Sequence, residues 1–189
     1  MQVGVAFLST FLGRATIGAA TVPLPDDVTP ALDTAYGTSL SLGYNVIAGL
    51  SLGVAPQFFW NLNTSNPTYW AGYYKSRKEF DLMARIAYAY KVIPKLSVYA
   101  ELLPGYSILN YRYQYQNPVR GGSGEFWSSR AKGFVIGFGA GATYDLNGMF
   151  FANLGIGYQL GSQTVDPPAL GDNASTQFLR LAFGGGLKF

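Results

Sequence analysis

The chain contains no histidine and no cysteine. Without cysteine there is no disulfide framework, no thiolate metal site and no thiol nucleophile. Without histidine the commonest general base, the commonest nitrogen ligand for metals and the side chain that titrates near neutrality are missing. Charge is scarce as well. Asp, Glu, Lys and Arg make up 12% of the 189 residues, about half the share of an ordinary soluble domain. The net charge is only +3, and no basic run is dense enough to suggest a nucleic-acid partner. Long apolar runs are absent too. Nowhere do about 18 apolar residues follow one another, so no membrane-spanning helix is encoded.

What the chain has is apolar and aromatic residues at regular spacing. Hydrophobic residues reach 49% and aromatics 16%, with 14 Tyr, 13 Phe and 24 Gly. High apolar content without a helical span leaves a β-rich soluble protein with a large core, or a barrel that shows its apolar face to lipid. The length suits a single domain covering 1–189. Residues 1–20 are mostly apolar and end in Gly18-Ala19-Ala20, faintly like a secretory signal. No Lys or Arg precedes the apolar part, however, and the first basic residue is Arg14. Removing the segment would also leave too few strands. Met1 is therefore read as a start placed before a mature chain, with the signal peptide absent.

The period is two nearly everywhere. Val3, Val5, Phe7 and Phe11 alternate with Gly4, Ala6, Leu8 and Thr10. Phe80, Leu82, Ala84, Ile86, Tyr88 and Tyr90 alternate with Glu79, Asp81, Met83, Arg85, Ala87 and Ala89. Phe134, Ile136, Phe138, Ala140 and Ala142 alternate with Gly137, Gly139, Gly141 and Thr143. Similar runs cover Tyr36 to Tyr44, Leu50 to Trp60, Leu96 to Ile108, Phe150 to Leu160 and Leu179 to Phe189, making eight strands. Each is long enough for the roughly 9–11 tilted residues that cross a bilayer. The connections alternate in length. Residues 45–49, 92–94 and 145–148 read as tight turns, and 14–35, 61–78, 110–132 and 161–176 as long loops rich in Gly, Pro, Asn and Ser. Such alternation marks outer-membrane barrels, with tight periplasmic turns and long extracellular loops.

Residue size separates this barrel from a soluble one. Gly137, Gly139, Gly141, Gly155, Gly157, Gly184 and Gly186 share the more polar face. In a narrow barrel interior they leave room for bulkier neighbours, whereas on a solvated exterior they would only weaken the strands. The other face carries Phe, Leu, Ile and Tyr. Tyr36, Tyr44, Trp60, Tyr88, Tyr90, Tyr144 and Tyr158 tend toward strand ends, as in interfacial girdles. The expected fold is all-β, an eight-stranded antiparallel up-and-down transmembrane β-barrel. Pro56 and Pro104 fall on the apolar face, where each removes a ladder donor, so a bulge or bend is expected there.

The final run, residues 179–189, ends in Phe189 with Leu187, Phe183 and Leu181 at alternate positions before it. It resembles the last strand of bacterial outer-membrane proteins. Gly185 departs from that pattern, since an aromatic or apolar residue is usual there. Together with the strand layout, the chain resembles the OmpA/OmpX/OmpW-like class of small outer-membrane barrels along its whole length. The resemblance implies recognition of the terminal strand by the barrel assembly machinery, and it says nothing about individual function.

Two sets of residues are candidates for function. The inner face holds Glu79, Asp81, Arg85, Glu101, Arg180 and Lys188, with Arg85 opposite or near Glu101 across a hairpin. Charges in a narrow lumen must pair; they form either a structural network that plugs it or a polar path and gate. The second set lies in the second and third loops. It comprises Trp70, Tyr74, Lys75, Arg77 and Lys78, then Arg112, Arg120, Trp127 and Arg130. Cations beside aromatics suit phosphate-rich lipopolysaccharide, sugars and anionic polymers. The first and fourth loops carry Asp26, Asp27, Asp33, Asp166 and Asp172, so the rim is expected to be basic on one side and acidic on the other. The alternation Tyr111-Arg112-Tyr113-Gln114-Tyr115 suggests a strand that continues above the membrane. No catalytic residue, metal site or cofactor is expected. The expectation is a monomeric, non-enzymatic barrel that contacts lipopolysaccharide, a host or a neighbouring cell and supports envelope integrity. The alternative is a narrow channel or lateral-exit conduit for small, hydrophobic solutes.

Overall fold

The computed structural model describes residues 1–17, 31–32, 35–60, 73–114, 126–166 and 173–189. Of these, 10–17, 31–32, 35, 73–77, 111–114, 126–127, 129 and 174 are described by backbone alone. The strands in chain order are β1 (Gln2–Ile17), β2 (Ala31–Leu32), β3 (Ala35–Ile47), β4 (Leu50–Val54), β5 (Gln57–Trp60), β6 (Tyr73–Ile93), β7 (Leu96–Gln114), β8 (Phe126–Asp145), β9 (Phe150–Asp166) and β10 (Asn173–Lys188). Neighbouring strands of the ring pair antiparallel, and β1 pairs with both β10 and β3, which closes it. β4 and β5 together form one wall strand, and the two-residue β2 hangs on β1, so the wall has eight strands. Two tight turns need a left-handed backbone, and glycine supplies it: Gly49 has φ +82° and Gly148 φ +61°.

The break between β4 and β5 falls at Ala55-Pro56. The expected bulge is not there. Leu42 pairs with Val54 and Ser39 with Gln57, an unchanged offset, and the same holds on the β6 side for Val54–Ala84 and Gln57–Asp81. Proline lacks only its N–H; its carbonyl still accepts from Leu40 N at 3.1 Å, and Ala55 N donates to Met83 O at 2.8 Å. One lost donor thus interrupts the ladder without shifting it. Pro104 behaves alike. It pairs with Ile136 of β8, but toward β6 the ladder skips from Met83–Gly105 to Ile86–Leu102 at constant offset. Both lapses therefore flank β6 between Leu82 and Arg85.

The wall is apolar outside. Val5, Phe7, Leu40, Leu52, Phe80, Leu82, Phe134, Phe138, Leu154, Ile156 and Phe183 are all exposed, each two residues from the next outward position on its strand. A soluble barrel has the reverse arrangement. Tyr44, Tyr88, Tyr90 and Tyr144 lie at the turn end of this band, and Tyr36 and Trp60, paired in register, at the loop end. Inside, side chains fill the upper lumen and most of the middle, leaving a gap of about 80 Å³ beside Glu101 and Arg180. Phe59 and Phe178 meet edge to face at 5.2 Å with Leu8 beside them. Ala55, Met83, Leu103 and Val135 form a second apolar cluster.

The strands outrun the apolar band at the loop end. Residues 73–74, 76–78, 110–114, 126–132, 161–166 and 173–176, expected in loops, are paired in the ladder, with a register shift at Lys75. Tyr73 still pairs with Gln114, and Gln114 with Phe126. Above lipid the outer face of a strand meets water, so the hydrophobic alternation that reveals a strand fades while the backbone bonds continue and inner residues such as Ala131, Gln163 and Val165 stay buried.

Candidate functional site

The inner positions of β6 read downward from the loop end as Glu79, Asp81, Met83, Arg85, Ala87, Ala89 and Lys91. They divide the lumen into layers. At the top, Ser107 Oγ donates to Glu79 Oε1 at 3.1 Å, and Gln163 Nε2 donates to Ser107 Oγ at 3.1 Å. Gln159 Nε2 reaches across from β9 to Asp81 Oδ2 at 2.5 Å. All five side chains are buried. Two carboxylates without solvent access and engaged by amide and hydroxyl donors are poorly placed for acid–base work on a substrate.

Below the apolar clusters lies the ionic layer. Arg85 Nε donates to Glu101 Oε2 at 2.8 Å, and Arg180 Nη2 donates to Glu101 Oε1 at 3.2 Å. Arg180 is only 4% exposed. Each oxygen of Glu101 therefore holds one guanidinium, which is the pairing that charge in a narrow lumen demands. Arg85 also lies 5.8 Å over the Tyr99 ring. That ring needs space, and two glycines provide it. A Cβ on either Gly141 or Gly155 would stand 2.6 Å from the Tyr99 hydroxyl oxygen. At the turn end Lys188 pairs with Asp145, which ends β8 rather than starting a turn, and lies 5.6 Å over the Phe151 ring. Of the six inner charges named from sequence, the fold joins Arg85, Glu101 and Arg180, places Glu79 and Asp81 together in a higher layer, and leaves Lys188 apart. Tyr99, Ser107, Asp145, Gln159 and Gln163 were missed as partners. Strand parity puts them inside, but which ones meet across the lumen depends on the barrel's stagger.

Of the surface candidates, Trp70 and Arg120 lie outside the described residues. Tyr74, Lys75 and Arg77 fall on β6, Arg112 on β7, and Trp127 and Arg130 on β8, so these belong to strands and not to loops. Lys78 also lies on β6, exposed on the outer face. Register aligns it with Asn110, Asn110 with Arg130, and Arg130 with Asp166. Arg130 Nε donates to Asn110 Oδ1 at 2.9 Å. One step toward the apolar band, Phe80 aligns with Ile108 and Ile108 with Lys132, which is exposed too. Lys78, Arg130 and Lys132 thus form an outward basic cluster directly above Phe80, Tyr106 and Phe134. Of the expected acidic side of the rim, only Asp166 lies among the described residues, and register sets it beside this cluster. Among the described residues no group of three or more carboxylates is placed to hold a metal ion.

No family model matches the sequence, and no curated protein is similar to it. Solved structures are similar. One is Neisserial surface protein A, at 15% identity and a TM-score of 0.58, covering 100% of this chain and 97% of that one. Another is the outer membrane protein OprG from Pseudomonas aeruginosa, at 11% identity and a TM-score of 0.65, covering 100% of this chain and 96% of that one. At such identity the likeness is one of fold, and the fold is that of the small eight-stranded outer-membrane β-barrels.

Proposed function

We propose that this chain is a monomeric, non-enzymatic barrel of the bacterial outer membrane that acts through its exterior, engaging phosphate-rich lipopolysaccharide along β6–β8. The single observation that carries the reading is the cluster of Lys78, Arg130 and Lys132. These cations point outward at the upper edge of the apolar band. A cation in that position lies where acyl chains give way to headgroups, and phosphates are the groups that stabilise it there. Tight turns then face the periplasm, and the extended ladders with their loops, including Trp70 and Arg120, face outward. Phe189 closes the strand that the assembly machinery would read.

The test is lipid binding by the refolded barrel. Lys78→Ala/Arg130→Ala/Lys132→Ala is expected to bind lipid A vesicles at least tenfold more weakly than the parent, and dephosphorylated lipid A is expected to erase the difference. Equal binding by the triple variant would overturn the reading.

The conduit reading has one observation in its favour, the ladder lapses beside Pro56 and Pro104. The lumen opposes it. Ala55, Met83, Leu103 and Val135, at most 4% exposed, pack against the wall at that level.

A further inference from the structure

The upper lumen is filled and the lower lumen is not. Above the Glu101 layer, inner positions carry Phe59, Phe178, Met83 and Leu103. Below it they carry Ser51, Ala87, Ala89, Ser97 and Thr143. Side chains of ordinary size just fill an eight-stranded barrel. Small ones here leave a cavity of about 440 Å³ open at the turn end. That volume lies within the range of small-molecule sites, on the order of 300–1,000 Å³.

The charged side chains that line this vestibule are cations. Arg85, Lys91 and Lys188 line it, and no carboxylate does. Glu101 and Asp145, also at inner positions, are paired with Arg85 and Lys188. Arg85 forms the ceiling. Its Nε is bound to Glu101 and its plane steadied over Tyr99, while Nη1 is directed to the Gly43 side of the lumen. A guanidinium fixed in this way presents its remaining N–H groups without further ordering, the arrangement that suits an oxyanion. Ser51, Ser97, Thr143 and Gln2 add neutral polar groups around it.

We propose that the vestibule at the turn end binds a small organic anion, through a carboxylate or phosphate group seated beneath Arg85, with Lys91 adding its charge nearer the mouth. The site is independent of the basic cluster on the outer face, which lies at the opposite end of β6 and faces away from the lumen.

The full chain, refolded in micelles and labelled with ¹⁵N, would be titrated with glycerol 3-phosphate and with succinate at constant ionic strength. Saturable shifts are expected at Ser51, Ala87, Ala89, Ser97 and Tyr99, and none at Lys78 or Lys132. Saturation by both probes assigns an oxyanion site in general; saturation by one assigns that group. Lys91→Gln, at an exposed position, is expected to bind at least tenfold more weakly. Ala89→Leu, which fills the space without changing charge, is expected to abolish binding. Shifts that chloride reproduces, shifts that fail to saturate, or undiminished binding in Lys91→Gln would overturn the proposal.

Discussion

Arg180 on β10 reaches Glu101 on β7 at 3.2 Å, spanning the lumen between strands three places apart around the ring. Glu101 is thereby shared with Arg85 of the neighbouring strand. Removing the carboxylate charge leaves two guanidinium groups with no counter-charge between them. Glu101→Gln, nearly the same size, is expected to destabilise the barrel by about 3 kcal/mol. Urea unfolding in micelles measures this, and a variant as stable as the parent would show the cluster to be dispensable.

Tyr99 and Gly155 make a cleaner pair for a mutant cycle. The nearest atom to a new Cβ on Gly155 is the Tyr99 hydroxyl, and the backbone comes no closer than 3.4 Å. Gly155→Ala should cost about 1–3 kcal/mol through overpacking. In a Tyr99→Phe background most of that cost should disappear, because the clashing oxygen is gone. Equal costs in both backgrounds would mean that the strain lies elsewhere.

Beneath the polar layer around Glu79 and Asp81, the lumen is closed by two further layers, one apolar and one ionic. Phe178→Ala should destabilise the barrel by about 3–5 kcal/mol by opening a cavity. It should still show no steady conductance in planar bilayers, because Arg85, Glu101 and Arg180 remain below. A stable open channel in this single variant would contradict the layered arrangement.

Asn110 offers a test that leaves every cation in place. Its carbonyl oxygen accepts from Arg130 Nε at 2.9 Å and fixes where that charge points. Asn110→Ala should weaken lipid A binding about fivefold, equivalent to about 1 kcal/mol for one lost hydrogen bond. The difference should shrink in high salt as the exposed charges are screened.

The strands were legible wherever one face met lipid and the other the lumen. Alternation at Phe80 to Tyr90 or Phe134 to Ala142 leaves little room for another reading. Legibility stopped at about Lys78 and Lys132, where lipid no longer marks one face, and the ladder nevertheless continues to Tyr73 and Phe126. The Arg85–Glu101 proximity was readable from one hairpin because neighbouring strands share a register. The reach of Arg180 to Glu101, and of Gln159 to Asp81, was not. Such contacts depend on how far the sheet is sheared before it closes, and no local pattern records that. Pro56 and Pro104 were correctly seen as missing donors, but a missing donor need not add a residue to the strand.

The ladder above the apolar band fixes a distance. From Phe80 to Tyr73 the facing strand β7 advances six residues, from Ile108 to Gln114, which at about 3.3 Å each is roughly 20 Å along the strand, and less in height once tilt is counted. Paired strands are stiff, so the strand tips at Tyr73, Gln114 and Phe126 stand at a set elevation. Only a partner that can come within that reach of the lipid surface meets the tips directly. Long sugar chains on the same surface would screen them by height alone, without any change in the barrel.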